Sequence, residues 1–258
     1  MKENPLILII NDDGITAPGI KNLVQIAKKI TNNIVVVAPD SPQSGMGHAI
    51  TMNAMLRLNK MEIEGVEAYS CSGTPVDCVK IATSKVLKEK PDLIISGINH
   101  GSNSSINVIY SGTMSAALEG AIEGIPSIGF SLCNHSIDAD FKPVHKSAEK
   151  IIRFALKQKN KSFSCLNVNF PAVSEEFIKG IKICRQANAV WEEEFEERHD
   201  PYGNAYYWLS GKFVNHEPEK EDTDEWALSN QFVSVVPVQF DFTHQSAISS
   251  LKNLENAE

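Results

Sequence analysis

A chain of 258 residues with 42% apolar residues, 24 basic against 32 acidic side chains and a formal charge of −8 has the composition of an ordinary globular protein. Its longest clean apolar run, Leu6-Ile7-Leu8-Ile9-Ile10, is far short of the roughly 20 residues of a membrane span, so no membrane partner is expected. Twelve acids and only three bases fall in residues 191–225, which leaves the rest of the chain nearly neutral and disfavours a polymeric nucleic acid as partner.

The N-terminal apolar stretch is too short for a secretory signal, which predicts a cytoplasmic protein. The five cysteines, Cys71, Cys78, Cys133, Cys165 and Cys184, are odd in number, widely spread and never in C-x-x-C spacing, so free thiols are expected.

Short apolar runs alternate with helical patterns over the first half of the chain, the pattern of a parallel sheet covered by helices on both faces. Residues 6–10 read as the first buried strand. Pro18 then opens a helix carrying Leu23, Ile26, Ala27 and Ile30 on one face. Residues 34–38 form the second strand, and residues 49–72 read as a hairpin beside it. Thr74-Pro75 caps the next helix, residues 92–96 are the third strand, and Ser111 starts a helix that Gly124 and Pro126 stop. A strand at 126–132, a helix at 142–159 and a strand at 165–170 continue the layers. Antiparallel strands are expected over 180–215 around a Tyr202-Gly203-Asn204 turn, then a strand at 232–238 and a closing helix at 243–254. The whole reads as a three-layer α/β domain over residues 1–185, followed by a smaller region of hairpin arm, returning strand and helix over 186–258. The arm aromatics Trp191, Phe195, Tyr206, Tyr207, Trp208, Phe213 and Trp226 are expected to pack on another subunit.

Ligands of an open parallel sheet bind at the carboxyl ends of its strands. Those edges carry Asn11-Asp12-Asp13-Gly14, then Ser44-Gly45, then Asn99-His100-Gly101-Ser102-Asn103, and the helix start Ser111-Gly112-Thr113. Adjacent aspartates repel unless a cation lies between them, although either one alone could simply cap the following helix. An oxygen-only set of Asp, Asp, Ser and Asn suits Mg²⁺, Mn²⁺ or Ca²⁺ better than structural zinc. His48 and His100 lie nearby in sequence and are kept in reserve as ligands. Ser111-Gly112-Thr113 offers free backbone N–H groups and the positive end of a helix dipole, which fits a phosphate seat, although any Ser-capped helix looks similar in isolation. A P-loop, a dinucleotide fingerprint and a Gly-x-Ser-x-Gly elbow are all missing.

At these residues the sequence resembles the survival protein E (SurE) family of metal-dependent nucleotidases. The likeness runs through Asn11-Asp-Asp-Gly-Ile-Thr-Ala-Pro-Gly19, Ala38-Pro-Asp40 with Ser44-Gly45, Gly73-Thr-Pro-Val-Asp-Cys78, Ser96-Gly-Ile-Asn-His-Gly-Ser-Asn103 and Tyr110-Ser-Gly-Thr113. The resemblance implies one divalent cation, Mg²⁺ or Mn²⁺, on Asp12, Asp13, Ser44 and Asn99. It places a phosphate-binding loop on Ser111, Gly112 and Thr113 with Asn99 and Asn103 close by, and Asp12 and Asp13 in catalysis. It further implies a Rossmann-like catalytic domain over residues 1–185 with residues 186–258 as an oligomerisation region, hydrolysis of nucleoside 5'-monophosphates, perhaps also 3'-monophosphates, and a homodimer or homotetramer that exchanges C-terminal elements. Ser41 departs from the basic residue that many members carry there. Two other functions fit the residues: a non-catalytic nucleotide-binding stress-response module, and a metal-dependent deacylase, which would want histidines among its ligands.

Overall fold

The computed structural model describes residues 2–136, 138–158 and 163–256. Its elements in chain order are β1 (Ile7–Ile10), α1 (Pro18–Lys28), β2 (Ile34–Pro39), β3 (Leu58–Ile63), β4 (Val66–Cys71), α2 (Pro75–Ile81), β5 (Leu93–His100), α3 (Asn107–Tyr110) and α4 (Gly112–Ile122). The second half carries β6 (Ser127–Leu132), α5 (His145–Lys157), β7 (Cys165–Phe170), β8 (Gly180–Ile183), β9 (Ala189–His199), β10 (Ala205–Asn215), α6 (Asp224–Ser229), β11 (Phe232–Val238) and α7 (Gln245–Leu251).

Alternation along β1 creates the layers. Ile7 and Ile9 pack with Ile20, Leu23 and Val24 of α1 and with Ala148 and Ile152 of α5. Leu8 and Ile10 point the other way, against Cys78 and Val79 of α2 and Ala116 of α4. With both faces covered, the central strands are buried along their whole length, and they run parallel as the apolar runs predict.

Nine strands form one sheet in the order β3-β4-β2-β1-β5-β6-β7-β11-β8. The chain leaves β1 toward β2 and later enters β5 on the other flank of β1, so the strand order reverses between β1 and β5. In a doubly wound sheet that reversal opens a crevice at the carboxyl ends, here between residue 11 onward and the end of β5.

The Thr74-Pro75 start is a full capping box, in which the Asp77 N–H donates to Thr74 Oγ1 and the Thr74 N–H donates back to Asp77 Oδ2. The helix predicted over 142–159 is a short 3₁₀ turn followed by α5 to Lys157; its last residue lies outside the described ones. The 49–72 hairpin is confined to β3 and β4. The closing helix is shorter than predicted, α7 giving way to a 3₁₀ turn at Lys252–Asn256.

Two strands differ from the sequence reading. β5 does not stop at Ser96 but runs to His100, because β6 continues to offer backbone partners: Asn99 pairs with Ser131 and His100 with Leu132, after a register shift at 97–98. Gly97 makes the shift possible, since its φ of +122° suits only glycine and a Cβ there would lie 2.3 Å from Phe130 O. β8 is not part of an antiparallel set with the arm; it lies parallel to β11 at the sheet edge, and β11 itself inserts antiparallel beside β7. The arm is β9 and β10 alone, closed by Asp200, whose side chain accepts the N–H groups of Tyr202 and Asn204. Trp226 is not on it: it sits on α6 and stacks on Phe232. The five cysteines are all free, and among the described residues no helix is long and apolar enough to cross a membrane.

Candidate active site

β1 delivers Asn11, Asp12 and Asp13 straight into the crevice. Asp12 is only 3% exposed, and burial, with the neighbouring Asp13 charge, pushes its carboxyl up to about 6 although Thr113 donates to it. Asp13 turns toward β5, where the His100 backbone N–H and Nδ1 both lie 3.3 Å from its Oδ2. Against an ionised carboxylate the imidazole makes that contact as donor. The His100 ring is held edge-on by Phe141, with centroids 4.9 Å apart.

α4 points its first turn at the same spot. Ser111 caps it by accepting the Met114 N–H at 3.0 Å, so the cap and the proposed phosphate seat are one residue. A side chain at Gly112 would put its Cβ 2.7 Å from Asp12 Cβ, which shows how closely the helix start and the aspartate abut. Asn99, in β5 just past the register shift, ties its amide nitrogen to Gly101 O at 3.0 Å; a cation would take the amide oxygen. Asn103 is buried in a network, donating to Ser131 Oγ at 2.8 Å while its own N–H donates to Asn169 Oδ1 at 2.8 Å.

Asp12, Ser44, Asn99, Asn103 and Ser111 all line one open cavity of about 830 Å³. Gly112 and Thr113 stand behind Asp12, and Asp13 beside His100. His48 is turned elsewhere: its Nε2 lies 2.8 Å from Glu119 Oε2, a buried carboxylate on α4 that also holds Lys80. Among the described residues no three His, Cys, Asp or Glu side chains converge as a metal cluster. The adjacent carboxylates, one of them buried and pushed up, have His100 as the basic group against them, and their oxygens together with those of Ser44 and Asn99 make a donor set that suits a hard divalent cation.

The far wall of the cavity comes from parts of the chain that sequence reasoning assigned to the C-terminal region. Trp191 and Phe213 face each other at the root of β9 and β10, and Glu225 and Gln231 come from α6 and the turn after it. Glu225 is bonded to Ser104, and burial pushes its carboxyl up. Asp224 clamps the wall to the crevice, accepting the Ser105 N–H at 2.8 Å and the Ala187 N–H at 2.9 Å. His135 is a further wall residue that carried no sequence signal.

The family model described as "Survival protein SurE" matches residues 7–193. A protein named 5'-nucleotidase SurE from Flavobacterium psychrophilum is 60% identical over 251 residues, covering 96% of this chain and 97% of that protein. Another of the same name, from Christiangramia forsetii, is 59% identical over 255 residues, with 98% and 97% covered. The crystal structure of the SurE protein from Aquifex aeolicus matches with a TM-score of 0.84 at 38% identity, over 97% of this chain and 100% of that one.

Proposed function

The chain belongs to the survival protein SurE family, and from that premise we infer that it is a 5'-nucleotidase, a phosphoric monoester hydrolase that releases phosphate from nucleoside 5'-monophosphates, with 3'-monophosphates as secondary substrates. One observation carries the reading at the level of chemistry: the buried Asp12 and the first turn of α4 meet at the switch-point crevice, which brings a cation seat and a phosphate seat to one sheet edge.

Asp12, Asp13, Ser44 and Asn99 would hold one divalent cation, Mg²⁺ or Mn²⁺. Such a cation supplies charge neutralisation at the phosphoryl group and makes a water molecule more acidic. The chain's own groups do the rest. Ser111, the N–H groups at Gly112 and Thr113, and Asn99 orient the phosphoryl oxygens, and the buried wall around Asn103 keeps that seat rigid. Asp12, fixed through one oxygen by Thr113, orients the attacking water beside the cation and helps to take its proton. His100 holds Asp13 in place.

Residues 1–185 carry this chemistry, and residues 186–258 serve assembly while adding the aromatic wall. A homodimer or homotetramer exchanging C-terminal elements is supported by the bare apolar groups on the arm and tail, among them Phe195, Trp208, Leu209 and Phe242, the last 85% exposed. The free cysteines fit the reducing cytoplasm. The test is inorganic phosphate release from AMP, GMP, CMP, 3'-AMP and a neutral ester, by protein stripped of metal and then given Mn²⁺ or Mg²⁺. Metal-dependent release from the nucleotides supports the reading. Turnover of the neutral ester alone points to a deacylase, and no turnover with any cation leaves a nucleotide-binding module.

A further inference from the structure

The cavity is much larger than a phosphate and a cation require. Its volume of about 830 Å³ lies in the range of sites that enclose a whole small molecule. Its polar end holds Asp12, Asn99 and Ser111, and its other end is aromatic, with Trp191, Phe213 and Tyr110 in the wall. Tyr110 directly precedes Ser111, so the aromatic end begins one residue from the phosphate seat.

Trp191 is built as a fixed surface. Its Nε1 donates to Asn107 Oδ1 at 2.8 Å, which pins the indole to α3, the short helix leading into Ser111. Phe213, its direct cross-strand partner, packs edge-on with ring centroids 5.4 Å apart. Yet Trp191 remains 45% exposed, a large apolar ring held still in a cavity wall and left partly bare.

We propose that Trp191, braced by Phe213, is the platform on which the nucleobase of the substrate stacks, and that it determines preference for nucleotides over base-free sugar phosphates. The proposal rests on the nucleotidase reading. Because the indole N–H is committed to Asn107, the platform offers a π-face and no edge donor, so it accepts every base and favours purines through their larger stacking area.

The test compares wild type, Trp191→Ala and Trp191→Phe on AMP and on ribose 5-phosphate, with the same activating cation. Alanine is expected to raise KM for AMP about 5- to 150-fold at unchanged kcat, while ribose 5-phosphate turnover stays within about twofold of wild type. Phenylalanine keeps a π-face but loses the N–H, and is expected to retain most of the AMP affinity. Two results overturn the proposal: equal losses on both substrates with alanine, or a phenylalanine variant as damaged as alanine. Either makes Trp191 a prop for α3. Wild type that hydrolyses neither substrate with any cation overturns the nucleotidase reading itself, and the platform with it.

Discussion

Thr113 donates its hydroxyl to Asp12, so the first turn of α4 and the carboxylate at the end of β1 form one assembly although they are 101 residues apart. The bond satisfies one oxygen of a buried carboxylate. Thr113→Val keeps the shape and removes the donor. It is expected to cost about 1–3 kcal/mol of stability in urea unfolding, the cost of leaving a buried acceptor unsatisfied, and to slow AMP hydrolysis at least tenfold.

Gly112 is the second point of contact. Alanine there would place its Cβ 2.7 Å from Asp12 Cβ and 2.9 Å from Oδ2, so either the aspartate or the helix start must move. Gly112→Ala is expected to destabilise by about 1–3 kcal/mol and to abolish most activity, with far-ultraviolet dichroism unchanged.

The pH dependence of the metal-free protein follows from Asp12. Its folded carboxyl is raised from 3.8 to about 6, so between those values the folded chain binds a proton that the unfolded chain has lost. Stability without metal therefore falls as pH rises through that window and stays low above it, by about 3 kcal/mol at most. Asp12→Asn removes the penalty. Thermal melts in EDTA are expected to show the variant above wild type at pH 8 and close to it at pH 4. A cation competes with the same proton, so its affinity for wild type should weaken below pH 6.

The loop at 40–57, which carries Ser44, is tied down through His48. Its partner Glu119 is buried on α4, the helix that presents the phosphate seat, and the Gly47 N–H also donates to Tyr110 O at 3.2 Å. His48→Ala is expected to weaken cation binding severalfold by calorimetry and to cost about 1–3 kcal/mol of unfolding free energy, since it removes one partner of the buried Glu119 carboxylate.

The parallel sheet and its binding edge were legible because buried parallel strands write themselves as apolar runs, and the polar residues that follow each run mark the edge. Asp12 and Asn99 reach one crevice for that reason, and Ser111 joins them as the cap of α4. β11 was legible as a strand but not in its place, because insertion between β7 and β8 is decided by long-range pairing that no local pattern encodes. The aromatic wall was hidden for a related reason. Trp191 and Phe213 lie in an acidic, solvent-facing stretch, and only the register of β9 on β10 and the indole bond to Asn107 turn them toward the cavity. The end of β5 escaped because Gly97 looks like a terminator in sequence, while in the sheet it is a register shift.

The central claim is that the strand-end aspartates hold a cation which makes phosphate hydrolysis possible. The most direct test is inorganic phosphate release from AMP by metal-stripped wild type and by Asp12→Asn, before and after Mn²⁺ is restored, with folding checked by circular dichroism. The account predicts release by wild type only with the cation and loss of release by at least about 100-fold in folded Asp12→Asn. Release by wild type without any cation, or full metal-dependent release by the variant, would contradict it.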